Sequence, residues 1–139
     1  METNRCDWIS ENIIKIASAY GFAETLSKAL DAIRKRDITI FAVIDHKKNA
    51  GEGGVEMPDA TLIIFGNAQV GTKLMQDKLG IAIDLPLRLL VGAENGKTVL
   101  HYYNPLYLAK EHQLSKNPDM INKISGLLNA ITMEAAGQQ

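Results

Sequence analysis

Glu94-Asn95-Gly96 sits between two apolar stretches, Leu85 to Val91 and Lys97 to Tyr103. Asn and Gly tolerate the positive φ of a type I′ turn, so this triplet predicts a tight β-hairpin. A hairpin forces its strands antiparallel, which constrains the fold more than any other feature of the chain.

The rest of the pattern fits around that hairpin. Asn12 to Ala17 predicts a strand with one wet face, because Ile14 and Ile16 flank Lys15. Ala23 to Arg36 predicts a helix buried along Leu26, Ala29, Leu30 and Ile33, with Gly21 as N-cap. Thr39 to Ile44 is continuously apolar and β-branched, and predicts a strand buried on both faces, ended by Asp45-His46. Lys47 to Pro58 carries Gly51, Gly53 and Gly54 and is expected to form a mobile loop with one helical turn near its start. Thr61 to Phe65 predicts a further strand, buried on both sides and broken by Gly66-Asn67; a short helix over Gly71 to Lys78 follows. Asn104-Pro105 and Asn117-Pro118 each predict a helix start, Asn as cap and Pro at the first helical position. The second opens a helix over 118–135 with Met120, Ile121, Ile124, Leu128 and Ile131 on its buried side, and Gln138-Gln139 frayed beyond it.

The resulting order, β-α-β-β-(α)-β-β-α-α, predicts an α+β fold: a mostly antiparallel sheet of about five strands with helices packed on one face. The apolar strands then require a cover for the other face, which a symmetric second copy of the chain supplies.

With 139 residues the chain is expected to be a single domain, long enough to bury a core without a covalent staple. A net charge of -1 opposes nucleic-acid binding, which needs a basic footprint, and gives no electrostatic pull toward a membrane. No apolar run approaches the roughly 20 residues of a membrane-spanning helix. Cys6 is the only cysteine, so Cys-rich metal sites and intrachain disulfides are excluded. A reducing, cytoplasmic setting is the expectation, and the polar stretch Met1 to Asp7 lacks the look of a signal peptide.

Residues able to do chemistry fall at strand ends between Thr39 and Pro86. Gly66 to Lys73 has the glycine spacing of a phosphate-binding loop, but Thr72-Lys73 reverses the required Lys-Ser/Thr order, which removes nucleotide hydrolysis. What remains is turn chemistry or a helix N-terminus able to hold an anion. His46 follows Asp45 at a strand end, where a base is well placed; strand alternation keeps the two from pairing with each other. Asp84 is either a rim carboxylate or a turn residue before Leu85-Pro86. His46, His101 and His112 lack metal-ligand spacing, so no metal is expected, and Cys6 has no partner base for a nucleophilic role. Tyr102 and Tyr103 split across the two faces of a strand, so one of them belongs to a core or pocket, as does Tyr107 if it joins them.

Several of these pieces together resemble the domain of unknown function 302 family. They are Glu24-Thr25-Leu26, Phe41 to His46, Ile64-Phe65-Gly66-Asn67, Gly71-Thr72 with Leu74-Met75, Ile83 to Leu87, and the hairpin with Tyr102 and Pro105. They run in order from about Ile14 to Leu114. The resemblance implies an α+β domain similar to the TATA-binding-protein-like fold, commonly a homodimer, and supplies no reaction and no cofactor. Two features depart from the pattern: Ala68 stands where Pro usually follows Gly-Asn, and Gly21 stands where a serine-like cap is expected.

The expected function is a homodimeric small-molecule-binding domain. Its site draws on His46, Asn67, Thr72, Lys73 and Asp84, takes a small anionic or polar ligand, and has the Gly51–Gly54 loop as a lid. Two alternatives stand beside it. One is an enzyme using His46 or Asp84 as acid or base on a small metabolite; the other is a partner-binding module without a ligand.

Overall fold

The computed structural model describes residues 6–8 and 12–138. Among them, six strands form one antiparallel sheet: β1 (Cys6–Trp8), β2 (Ile13–Ala17), β3 (Thr39–Asp45), β4 (Ala60–Gly66), β5 (Leu87–Glu94) and β6 (Lys97–Tyr103). Their spatial order is β1-β2-β6-β5-β4-β3. The helices are α1 (Phe22–Arg34), α2 (His46–Glu52), α3 (Ala68–Asp77), α4 (Pro105–Glu111) and α5 (Pro118–Ala136), with a 3-10 helix over Leu79–Asp84. The α+β class and the expected order hold, with β1 and α2 added.

The hairpin forms as its turn chemistry requires. Glu94 pairs with Lys97, and Asn95 and Gly96 take φ values of 54° and 79°. Register then sorts the side chains. Ile16, Ile63, Phe65, Leu89, Val91, Leu100 and Tyr102 share one face and are buried beneath α1 and α5. α5 contributes Ile121, Ile124, Leu128 and Ile131, as expected. On α1 the buried line is Thr25, Ala29, Ala32 and Ile33, one position round from the predicted stripe, with Leu26 and Leu30 at its margin. Thr25 is accommodated because its hydroxyl meets Ser18 Oγ at 2.6 Å.

Three expectations are corrected. β3 is an edge strand, not one buried on both faces: Phe41 is 54% and Val43 47% exposed. An apolar, β-branched run marks a strand but carries no information about its place in the sheet. β4 buries Thr61, Ile63 and Phe65 on one face only, with Leu62 and Ile64 partly exposed on the other. The segment after β3 is helical for two turns because Asp45 caps it, its carboxylate accepting a hydrogen bond from the Lys48 amide at 2.9 Å.

Two side-chain anchors close the helical layer. Gln138 Nε2 donates to the Ala17 carbonyl at 3.1 Å, so this residue is held rather than frayed; Gln139 lies outside the described residues. Asp77, at the end of α3, accepts from the backbone amides of Lys116 at 2.8 Å and Ser115 at 3.0 Å in the α4–α5 connection. The Lys116 amide, with Ser115 and Lys78, holds the Asp77 carboxyl below its ordinary value of 3.8. A carboxylate whose folded pKa is depressed adds stability above its unfolded pKa and loses it as pH falls through the folded one. Stability is therefore expected to drop as pH falls below about 4, and Asp77→Asn should flatten that part of a denaturant-midpoint profile. An unchanged acid limb in the variant would remove Asp77 from the account.

Candidate functional site

Asn67 follows β4 and caps α3: its Oδ1 accepts from the Gln69 amide at 2.9 Å and the Val70 amide at 3.2 Å. The helix therefore begins at Ala68, earlier than predicted, and Gly71 lies within it. The glycines that imitated a phosphate-binding loop thus flank a capped helix start and form no cradle.

α3 packs chiefly on the 3-10 helix and places only Leu74 in the core. The space between α3, α5 and the ends of the strands is a half-open cavity of about 470 Å³. Ile38 and Phe41 come from the β3 side, Val70, Leu74 and Met75 from α3, Leu85 to Leu87 from the approach to β5, and Met120, Ile124 and Leu127 from α5. A break in the β3–β4 register between Ile40 and Ala42 marks Phe41 as a bulge at the cavity. Gly66 lies at this corner, where a β-carbon would make ordinary contacts with Pro86 Cβ at 3.5 Å and Phe41 Cε2 at 3.8 Å. Among the described residues the lining is apolar except for Asn67, Thr72 and Lys123, and Lys123 is the one charged residue of them.

Asp84 engages a different set. Its Oδ2 lies 2.6 Å from His112 Nε2, the residue that ends α4, and its Oδ1 lies 3.7 Å from Arg88 Nη2. The Arg88 guanidinium stands 5.9 Å from the Tyr103 ring, which stacks on Tyr107 at 6.0 Å. Glu111, burial and Asp84 together push the Tyr107 hydroxyl above its ordinary pKa. Tyr102 is buried in the core and Tyr103 is exposed, the split that strand alternation predicts.

The predicted residues therefore do not share one site. Asn67 and Thr72 line the cavity, while Lys73 lies with Gln69 and Gln76 on another flank of α3. Asp84 turns to His112, which sequence spacing gave no reason to choose. His46 begins α2 at the other rim of the sheet: β3 runs from Thr39 beside Gly66 to Asp45 beside Thr61. Seven residues of strand separate the rims by roughly 20 Å, so His46 and Asp84 cannot act on one substrate, and the Gly51–Gly54 segment, on the His46 side, is no lid for this cavity.

His101 belongs to the sheet face away from the helices, opposite Lys15 and Leu90. Burial lowers its pKa, opposed by Glu94, which pairs with Lys15 at 2.6 Å. No three His, Cys, Asp or Glu side chains come together as metal ligands among the described residues. The side chain of Cys6 lies outside them.

The family model described as "Domain of unknown function DUF302" matches residues 14–131, which takes in most of α5. A protein from Brucella suis biovar 1, named fluoride-specific ion channel FluC 1, is 36% identical over 132 residues. The match covers 93% of this chain and 52% of that protein. A protein of the same name from Brucella abortus biovar 1 is also 36% identical, with 48% of its length covered. The chain thus spans about half the length of these relatives. Among solved structures, an uncharacterised conserved DUF302 protein from Bacillus stearothermophilus superposes with a TM-score of 0.77 at 17% identity. The superposition covers 88% of this chain and 97% of that one, and shows a shared fold.

Proposed function

The chain belongs to the DUF302 family, and from that premise we propose that it is a small-molecule-binding domain whose ligand occupies the cavity between α3 and α5. The observation that carries this reading is the cavity itself. Its volume falls in the roughly 300–1,000 Å³ range of ligand sites, and its lining pairs an apolar wall with a few polar groups. Fluoride, the ion in the names of the Brucella relatives, suits such a wall poorly. A small, strongly hydrated anion needs several donors, and the wall offers one amide, one hydroxyl and one ammonium. No helix among the described residues is long and apolar enough to cross a membrane.

Gly71 provides the test. It lines the cavity, and a β-carbon there meets nothing closer than Leu85 Cδ1 at 3.9 Å. Gly71→Leu should therefore project a side chain into the cavity and take up part of it while improving α3 by up to about 0.8 kcal/mol. Decan-1-ol serves as an uncharged probe, followed by the methyl signals of 13C-labelled methionines. The parent should show shifts at Met75 and Met120, and Gly71→Leu should weaken binding at least about tenfold with no loss of thermal stability. Equal binding by both proteins would place the ligand elsewhere.

The proposal includes a homodimer in a reducing compartment, the cytoplasm. The sheet face away from α1 and α5 supports self-association: Ala42, Ile44, Leu62, Ile64 and Leu90 are partly exposed there. Sedimentation should give a dimer, and Ile64→Glu should weaken it at least about tenfold. A monomeric parent at micromolar concentration would end the dimer reading and leave the cavity reading intact.

The Asp84–His112 hydrogen bond favours a second reading, acid–base chemistry with His112 in the place His46 was expected to fill. The response of stability to substitution at Asp84 separates it from a purely structural role.

A further inference from the structure

We infer that the cavity ligand is an amphipathic carboxylate, an apolar chain or ring that fills the cavity and ends in a carboxylate held by Lys123. This rests on the cavity reading above and adds the chemistry of the ligand. The wall formed by Phe41, Leu74, Met75 and Ile124 can bind only an apolar body. Met75 and Met120 are unbranched and adaptable, so the wall tolerates a range of shapes.

Lys123 selects the head group. It is exposed on α5 at the cavity lining, and it forms neither an ion pair nor a hydrogen bond among the described residues. Among the described residues the cavity lining holds no acidic side chain to neutralise it. A lone ammonium beside an apolar wall complements a ligand with one negative end. Lysine, a compact point charge, suits a single carboxylate without demanding the paired geometry of a guanidinium. Lys73, on the other flank of α3 with Gln69 and Gln76, does not compete.

The two parts of the ligand contribute unequally. Each buried methylene should strengthen binding by up to roughly fourfold, whereas an exposed ion pair contributes up to about fivefold. Lys123 therefore sets preference and the wall sets affinity.

The experiment titrates decanoate and decan-1-ol into the parent and into Lys123→Gln, with 13C-labelled methionine methyls as the readout. Both probes should shift Met75 and Met120 in both proteins. Lys123→Gln should weaken decanoate measurably, by up to about fivefold, and leave decan-1-ol unchanged. Decanoate affinity unmoved by Lys123→Gln overturns the head-group assignment, as does an equal loss for both probes, which would mark a packing role. In either of those cases the methyl shifts still locate a ligand in the cavity. Absence of shifts at Met75 and Met120 with either probe overturns the head-group assignment and the cavity reading together.

Discussion

Gly137→Val is expected to cost about 2–4 kcal/mol of stability and to lower the thermal midpoint by roughly 10 °C. Gly137 ends α5 with φ 69°, in the left-handed region that a β-branched side chain avoids. It is also the point where α5 closes onto the start of the fold: the Ala19 amide bonds the Ala136 carbonyl at 2.8 Å. A β-carbon at Gly137 would lie 2.6 Å from Tyr20 Cε2 and 2.7 Å from Cζ. Backbone strain and steric overlap thus act together, and they are separable. Gly137→Ala in a Tyr20→Ala background should retain the strain, about 1–2 kcal/mol, and lose the overlap. Chemical denaturation of the four proteins of that cycle measures both. A Gly137→Val variant within about 0.5 kcal/mol of the parent, an ordinary surface effect, would show that Tyr20 and the helix end move apart freely.

The parts of this fold written in local chemistry are legible in the sequence. Asn95-Gly96 specifies its hairpin, and Asn104-Pro105 its helix start, with Asn104 Oδ1 accepting from the Leu106 amide at 3.1 Å. Asn117 shows the limit of such a rule. It precedes Pro118 as expected, yet takes φ 55° and caps with no side-chain bond. What neighbours decide is not legible. The run Thr39 to Ile44 has the composition of a central strand, but sheet order leaves β3 at the edge. Ala68-Gln69-Val70 are acceptable helix formers after a good cap, so α3 starts three residues before the expected Gly71.

The site is less legible in the sequence for the same reason. Val70, Leu85 and Ile124 each carry the periodicity of core residues, and only the standing-off of α3 turns their faces into a cavity wall. Nothing in the sequence around Lys123 distinguishes it from any other solvated charge on α5. His112 is 28 residues from Asp84, with no spacing rule to join them. A chain can announce which residues are polar at strand ends, but which of them converge depends on which rim each strand ends at.

Asp84→Ala decides between the structural and chemical readings of that convergence, with an expected loss of about 2 kcal/mol. The His112 side chain is only 14% exposed, so removing its acceptor strands a partly buried donor, and a hydrogen bond to a charged group contributes roughly 1.5–3 kcal/mol. The Arg88 contact at 3.7 Å is more open and adds little. Asp84→Asn keeps an oxygen in place of the carboxylate and should cost about half as much. His112→Ala should match Asp84→Ala, and the double variant should lose no more than either alone, since one bond tying the 3-10 helix to α4 is removed in each case. That pattern is the signature of a structural clasp. A catalytic pair predicts another: Asp84→Asn and Asp84→Ala both as stable as the parent, because functional groups are held at a cost to the fold rather than for its benefit. The low exposure of the His112 side chain leaves little room for a substrate at this pair and favours the clasp, so a stable Asp84→Ala protein would be the result that reopens acid–base chemistry at this rim.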